Sequence, residues 1–228
     1  IDIGGVTKYA DYLSGTGTAA LTFRYTVEAA LTDSDGITIS SPLDLNSGTI
    51  QNAVLQNLDL VFTPPVMGSV LVDSTPPVIT SITPPADATY VEAGNIDFII
   101  NTDEIVNVVG TPRITIDIGG VTKYADYLSG TGTTALTFRY TVEAGLTDND
   151  GITISSPVDL NSGTIQNVGL ENLDLTFTPP VMGSVLVDSI PPVITSITPP
   201  ADATYIGAQN IDFVVNTDEI VNVVGTPR

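Results

Sequence analysis

Residues 113–154 read RITIDIGGVTKYADYLSGTGTTALTFRYTVEAGLTDNDGITI. Ile114, Ile116 and Ile118 alternate with Thr115 and Asp117, and a period of two is the pattern of a half-buried strand. Gly119-Gly120 signals a tight turn into a second strand, Val121–Leu128. A Gly-rich turn over Ser129–Thr133 leads to Ala135–Glu143, where Leu136, Phe138, Tyr140 and Val142 alternate with Thr137, Arg139 and Thr141. Outward from this stretch, the same reading predicts strands at Val78–Ile82, Asn95–Asn101, Ile152–Ser155, Leu173–Phe177 and Ser184–Val187. Short strands with turn signals about every 8–12 residues, and no helical apolar stripe, predict an all-β chain folded as a two-sheet sandwich.

The string IDIGGVTKYADYLSGTGT opens at Ile1 and again at Ile116, an offset of 116 − 1 = 115 residues. A repeat of that length is a whole domain rather than a solenoid rung of about 20–50 residues. The best linkers are Val72-Asp73-Ser74-Thr75-Pro76-Pro77 and Val187-Asp188-Ser189-Ile190-Pro191-Pro192, because paired prolines stop a ladder and stiffen the chain. The cut places one complete domain at 76–190. It makes 1–75 the C-terminal part of a repeat and 191–228 the N-terminal part of the next. Recrossing a sandwich takes more extended chain than a few linker residues supply at about 3.3 Å each. The two end parts are therefore expected to pair with a neighbouring molecule, or to complement one another between chains as an exchanged domain.

Hydrophobic residues make up 42% of the 228 and charged residues 14%, enough apolar content to bury a core. The formal net charge is −20, with six basic side chains. That balance opposes binding to nucleic acid or to anionic membranes and suits divalent cations. No apolar run is long enough to span a bilayer. The chain has no Cys and no His, which excludes disulfides, thiolate and imidazole metal sites, and triads that need either residue.

VDSTPPVITSITPPADATY, followed by the stretch quoted above, NSGTIQN and GSVLVDS, resembles the immunoglobulin-like repeats of giant surface adhesins of Gram-negative bacteria, the repeats-in-toxin and biofilm-associated adhesins. The resemblance covers essentially the whole chain. It implies immunoglobulin-like sandwiches in tandem, type I export, an extracellular location, and an extender role that holds a distal binding domain away from the cell. In related adhesins calcium often rigidifies such modules. The glycine-rich calcium-binding nonapeptides of these proteins do not occur in this chain.

Asp33-Ser34-Asp35-Gly36, repeated as Asp148-Asn149-Asp150-Gly151, offers two carboxylates one residue apart with a Gly to bend the chain. Calcium takes about 6–8 oxygen ligands, so this loop needs help; alone it reads equally as a solvated Asx turn. Counting strands up and down sets Asp188 at the same pole as Asp148 and Asp150, facing Asp218 and Glu219 in the loop NTDEIV of the next module. At the preceding junction the set is Asp33, Asp35, Asp73, Asp103 and Glu104. Calcium bridging such sets would turn like-charge repulsion into a clamp. Asp2, Asp117, Asp97, Asp59 and Asp174 read as outward-facing strand residues, and Asp87 and Asp202 as turn formers. Tyr9, Tyr12, Tyr124 and Tyr127 read as half-buried packing residues rather than a sugar strip, and Lys123 as a snorkelling lysine. No catalytic constellation stands out. The preferred reading is a non-enzymatic spacer. Its rivals are a repeated glycan- or cell-binding module acting through avidity and an accessory repeat of a carbohydrate-active enzyme.

Overall fold

The computed structural model describes residues 1–228, and every regular element in it is a strand. In chain order these are β1 (Asp2–Ile3), β2 (Val6–Thr7), β3 (Asp11–Ser14), β4 (Thr22–Arg24), β5 (Thr32–Asp33), β6 (Val72–Asp73), β7 (Ile79–Thr83), β8 (Ala88–Tyr90) and β9 (Asn95–Val109). They continue as β10 (Arg113–Ile118), β11 (Val121–Ser129), β12 (Thr133–Thr141), β13 (Thr147–Asp148), β14 (Thr153–Asp159), β15 (Thr164–Gln166), β16 (Val185–Asp188), β17 (Ile194–Thr198) and β18 (Val214–Thr217).

Residues 79–188 form a two-sheet sandwich. One sheet has the order β14-β10-β11-β12-β9-β15, with β7 also paired to β9; the other is β13-β16-β8. The alternation read from the sequence sets the inner faces. Ile96, Phe98 and Ile100 of β9, Ile114, Ile116 and Ile118 of β10, and Leu136 and Phe138 of β12 are all at 0% exposure. Val185 and Val187 of β16 close the same core from the second sheet. Each such side chain contributes about 1.5–3 kcal/mol relative to exposure. On the outer face Arg139 grips Asp97 with two hydrogen bonds of 2.6 and 2.7 Å, directly across the β12–β9 pair. A half-exposed pair of this kind adds little energy, but it fixes register.

Three expectations about elements are corrected. β9 does not stop at Asn101 but runs to Val109. Between Asn101 and Val106 it advances five residues while β12 advances two, from Ala135 to Thr133, so Thr102–Ile105 bulge out of the ladder. The carboxylates expected in a loop, Asp103 and Glu104, ride on that bulge. Leu173–Phe177 is not a regular strand, because its backbone bonds in turn to Ile165, Pro77 and Val158, and Asp174 accepts from Thr176 in a local Asx turn. Ala88–Tyr90, directly after the turn former Asp87 and not among the strands expected from the sequence, is a strand paired in parallel with β16.

The ends keep only small pairs. β1 joins β2, β3 joins β4 and β5 joins β6 in residues 1–75, and β17 joins β18 near the C-terminus. Phe213 and Ile211, which hold the repeat positions of Phe98 and Ile96, are 65% and 51% exposed. Sequence alone therefore does not bury these residues; the partner strands do. Phe98→Ala is expected to lower the unfolding free energy of the 79–188 sandwich by about 3–5 kcal/mol, whereas Phe213→Ala should leave it within about 0.5 kcal/mol, as read by urea titration.

Candidate junction site

Two constructions stand out where one repeat meets the next. The first closes the sandwich from inside. Asp148, 4% exposed, accepts hydrogen bonds from the Gly119 N–H at Oδ2 (2.7 Å) and from the Gly151 N–H at Oδ1 (2.7 Å), with Asp150 N–H at 3.3 Å. It ties the β10–β11 turn of the larger sheet to β13 of the smaller. Gly119 has φ +56°, and a Cβ there would lie 2.1 Å from the Thr147 carbonyl oxygen, so only glycine fits. Asp33 repeats the arrangement with Gly4, Gly36 and Asp35. The Gly4 N–H first, with help from Gly36 and Asp35, holds its carboxyl below the usual aspartate range.

The second construction is the linker. Ser74, buried, donates from Oγ to the carbonyl oxygens of Glu28 and Leu31 and accepts from the Leu31 N–H, which pins the end of the first repeat. Ser189 does the same with Glu143 and Leu146. Beyond Thr75 and Pro76, Pro77 is buried. The Val78 N–H donates to Asp103 Oδ1 (2.8 Å), and the Pro77 carbonyl accepts from the Asp174 N–H (2.9 Å). Asp218 caps Val193 in the same way. Asn167, 3% exposed, donates from Nδ2 to the Thr75 carbonyl (3.3 Å) and to both Glu104 oxygens (3.2 Å), and accepts from the Glu171 N–H. Asn167 is the junction residue that the sequence reading missed. Its signal was a repeated Asn in the NSGTIQN motif, which looks like ordinary turn chemistry.

The expected ligand sets are placed as follows. Asp33 and Asp148 face inward and use both carboxylate oxygens on backbone N–H groups. Asp73 accepts from the Thr75 N–H and hydroxyl, Asp188 from the Ile190 N–H, and Asp103 and Asp218 from the linker. Asp35, Asp150 and Glu219 are exposed. No three carboxylates converge closely enough to cage an ion. Glu104 nevertheless senses Asp73 and Asp103. Burial, and then the negative charges of Asp73 and Asp103, push the Glu104 carboxyl above its ordinary range, against the opposing Asn167 hydrogen bond. These three residues are the part of the sets that a cation would serve, by offsetting their repulsion.

The tyrosines pack. Tyr127 meets Phe138 edge-on with centroids 5.8 Å apart and accepts from the Thr131 N–H, while Arg113 lies 4.0 Å over the Tyr124 ring. Lys123 pairs with Glu143 at 2.6 Å.

Asp148→Ala strands the Gly119 and Gly151 N–H groups and should cost about 1–3 kcal/mol, measured by chemical denaturation. Glu104 carries the opposite sign. Its raised pKa favours the folded state below the ordinary glutamate range, and this contribution is lost as pH rises through the folded value. Glu104→Gln, which keeps an acceptor for Asn167, should therefore raise the denaturation midpoint at pH 7 in chelator. The gain should vanish at a pH where the wild-type carboxyl is already protonated.

Comparison with protein families, curated proteins and solved structures finds no match to this chain.

Proposed function

We propose that this chain is a run of structural extender modules from a secreted bacterial surface adhesin, immunoglobulin-like sandwiches that hold a distal binding domain away from the cell. The observation that carries the reading is the linker. Ser74 is bonded into the repeat before it and Val78 into the sandwich after it, with only three residues between. Asn167 grips Thr75 in addition. Paired prolines and hydrogen bonds on both sides leave such a junction few soft dihedrals, and the same Ser and Asp contacts recur 115 residues later. A near-identical repeat with a stiff joint supplies length. The reading assigns the chain no catalytic role, and its partners are the neighbouring repeats.

Calcium is the ion we propose for the acidic junction, near Asp73, Asp103 and Glu104, where its charge would offset the repulsion that Asp73 and Asp103 exert on Glu104. The modules would then be stiffer in an extracellular, calcium-rich medium.

Small-angle scattering on tandem arrays of increasing repeat number tests the spacer. A radius of gyration growing in proportion to repeat number is the expected result; growth as the square root would mean free joints and would sink the reading. Thermal unfolding of the 228-residue chain in EDTA, in millimolar calcium and in millimolar magnesium tests the ion. A rise specific to calcium and lost in Glu104→Gln is expected, while equal melting in all three leaves the stiffness to prolines and hydrogen bonds alone.

A further inference from the structure

A pull along the chain reaches the 79–188 sandwich at two points. One is Val78, whose N–H donates to Asp103; the other is Ser189, whose hydroxyl donates to the Glu143 carbonyl. These points lie at opposite ends of the module. Glu143 closely follows Thr141, which pairs with Asn95 at the start of β9. Asp103 lies 103 − 95 = 8 residues further along that strand, roughly 25 Å away at about 3.3 Å per residue. We propose that the sandwich is a tension-bearing module, and that the parallel β8–β16 ladder is the clamp that sets the force at which it opens. The inference needs only a pull on the two ends of the module and does not depend on the adhesin reading.

Connectivity puts this ladder on every route by which the module can be drawn out. β16 is the last strand of the sandwich, and leaving from that end requires it to part from β8 on one side and β13 on the other. From the N-terminal end β7 leaves β9 first, and the pull then falls on β8, whose partner is again β16. Loss of β7 alone frees only the short segment that precedes β8. Everything beyond it stays behind the clamp.

Direction makes the clamp strong. Parallel neighbours start at one pole and end at the other. A pull toward the N-terminus of β8 and toward the C-terminus of β16 therefore slides the two strands along their common axis. The evenly spaced bonds of the ladder, over Ala88↔Val185, Thr89↔Leu186 and Tyr90↔Val187, run across that axis and share the load. Strands pulled apart from one shared end would instead lose their bonds one at a time.

Both strands of the clamp are anchored beyond the ladder itself. Val185 and Val187 are 1% and 0% exposed, and Tyr90 packs against the same core, so the inner side of the ladder is closed to water. The Tyr90 hydroxyl donates to the Ala86 carbonyl (3.1 Å), which fastens the chain just before β8. After β8, the Ala93 N–H donates to the Val142 carbonyl and the Val142 N–H to the Gly94 carbonyl, both at 2.9 Å, tying that end to the larger sheet. β16 is flanked by β13, which Asp148 holds to the Gly119 turn. Past its end, Ser189 is bonded to Glu143 and Leu146.

The chain has no cysteine, so an introduced pair fixes where force is applied. Single-molecule stretching of the 228-residue chain between Pro76→Cys and Ile190→Cys loads the clamp in shear. Stretching between Glu92→Cys, just beyond β8, and Ile190→Cys, just beyond β16, pulls the same ladder from one end and unzips it from Tyr90↔Val187. At equal loading rate the shear pair should need at least about twice the force of the unzipping pair, because forced opening follows the unfolding rate rather than equilibrium stability. N–H groups alternate in direction along a strand, so one of Ala88→Pro and Thr89→Pro removes a bond to β16 and should bring the shear force down toward the unzipping value. Ile154→Ala, in the core but on the far edge strand β14, should lower the melting temperature and keep the shear force within about 20% of wild type. The comparison of pulling points uses the unaltered ladder, so it decides the matter even where a proline variant does not fold. Equal forces in the two geometries, a shear force that survives both proline substitutions, or forces that fall in step with melting temperature across all variants would overturn the proposal.

Discussion

The architecture hangs on β9. This fifteen-residue strand lies between β12 and β15, carries β7 on its edge, and drives Ile96, Phe98, Ile100 and Val106 into the core at no residual exposure. Hydrophobic burial is proportional to the area removed from water, so a strand flanked on both sides stabilises far more than one at an edge. Where β9 is present its neighbours form long continuous strands. Where its counterpart lies elsewhere in the chain, the same sequence forms two- to four-residue pairs with its apolar faces open. Identical local propensity thus gives two outcomes, and the difference is tertiary partnership.

The polar devices follow from that layout. A sandwich held by one apolar layer needs its corners fastened, because buried backbone groups at turns must find partners. Asp148 fastens one corner and Ser189 another. Both are small polar residues driven inward by the hydrogen bonds they satisfy. The bulge in β9 carries a different burden. By lifting Thr102–Ile105 out of the ladder it points Asp103 at the incoming Val78 and sets Glu104 against Asn167. A strand irregularity becomes the socket for the linker. The acidic junction is consequently a hydrogen-bonded joint in its own right, with carboxylates engaged by N–H donors, and a cation would add to it rather than create it.

Three sets of residues show what was legible and what was not. The inner faces of β10 and β12 followed from period-two alternation, since a pleated strand with one buried face leaves that trace in any sequence. The loop motif of Asp148 was visible too, but its role was not: Asx turn and cation ligand use the same residue types at the same spacing, and only burial separates them. Asn167 gave no useful signal, because its partners Thr75 and Glu104 lie 92 and 63 residues away.

By itself the sequence determined the all-β class, the 115-residue period, the stiff diproline linkers and the apolar register of the main strands. These are local or self-referential properties, written in alternation, turn chemistry and identity between copies. The tertiary structure alone decided the parallel pairing of β8 with β16, the length and bulge of β9, the inward placement of Asp148, and the grip of Asn167 on the linker. Each of these depends on which distant segment arrives as a neighbour. Pairing, burial and hydrogen-bond satisfaction are properties of that arrival, and no window along the chain contains them.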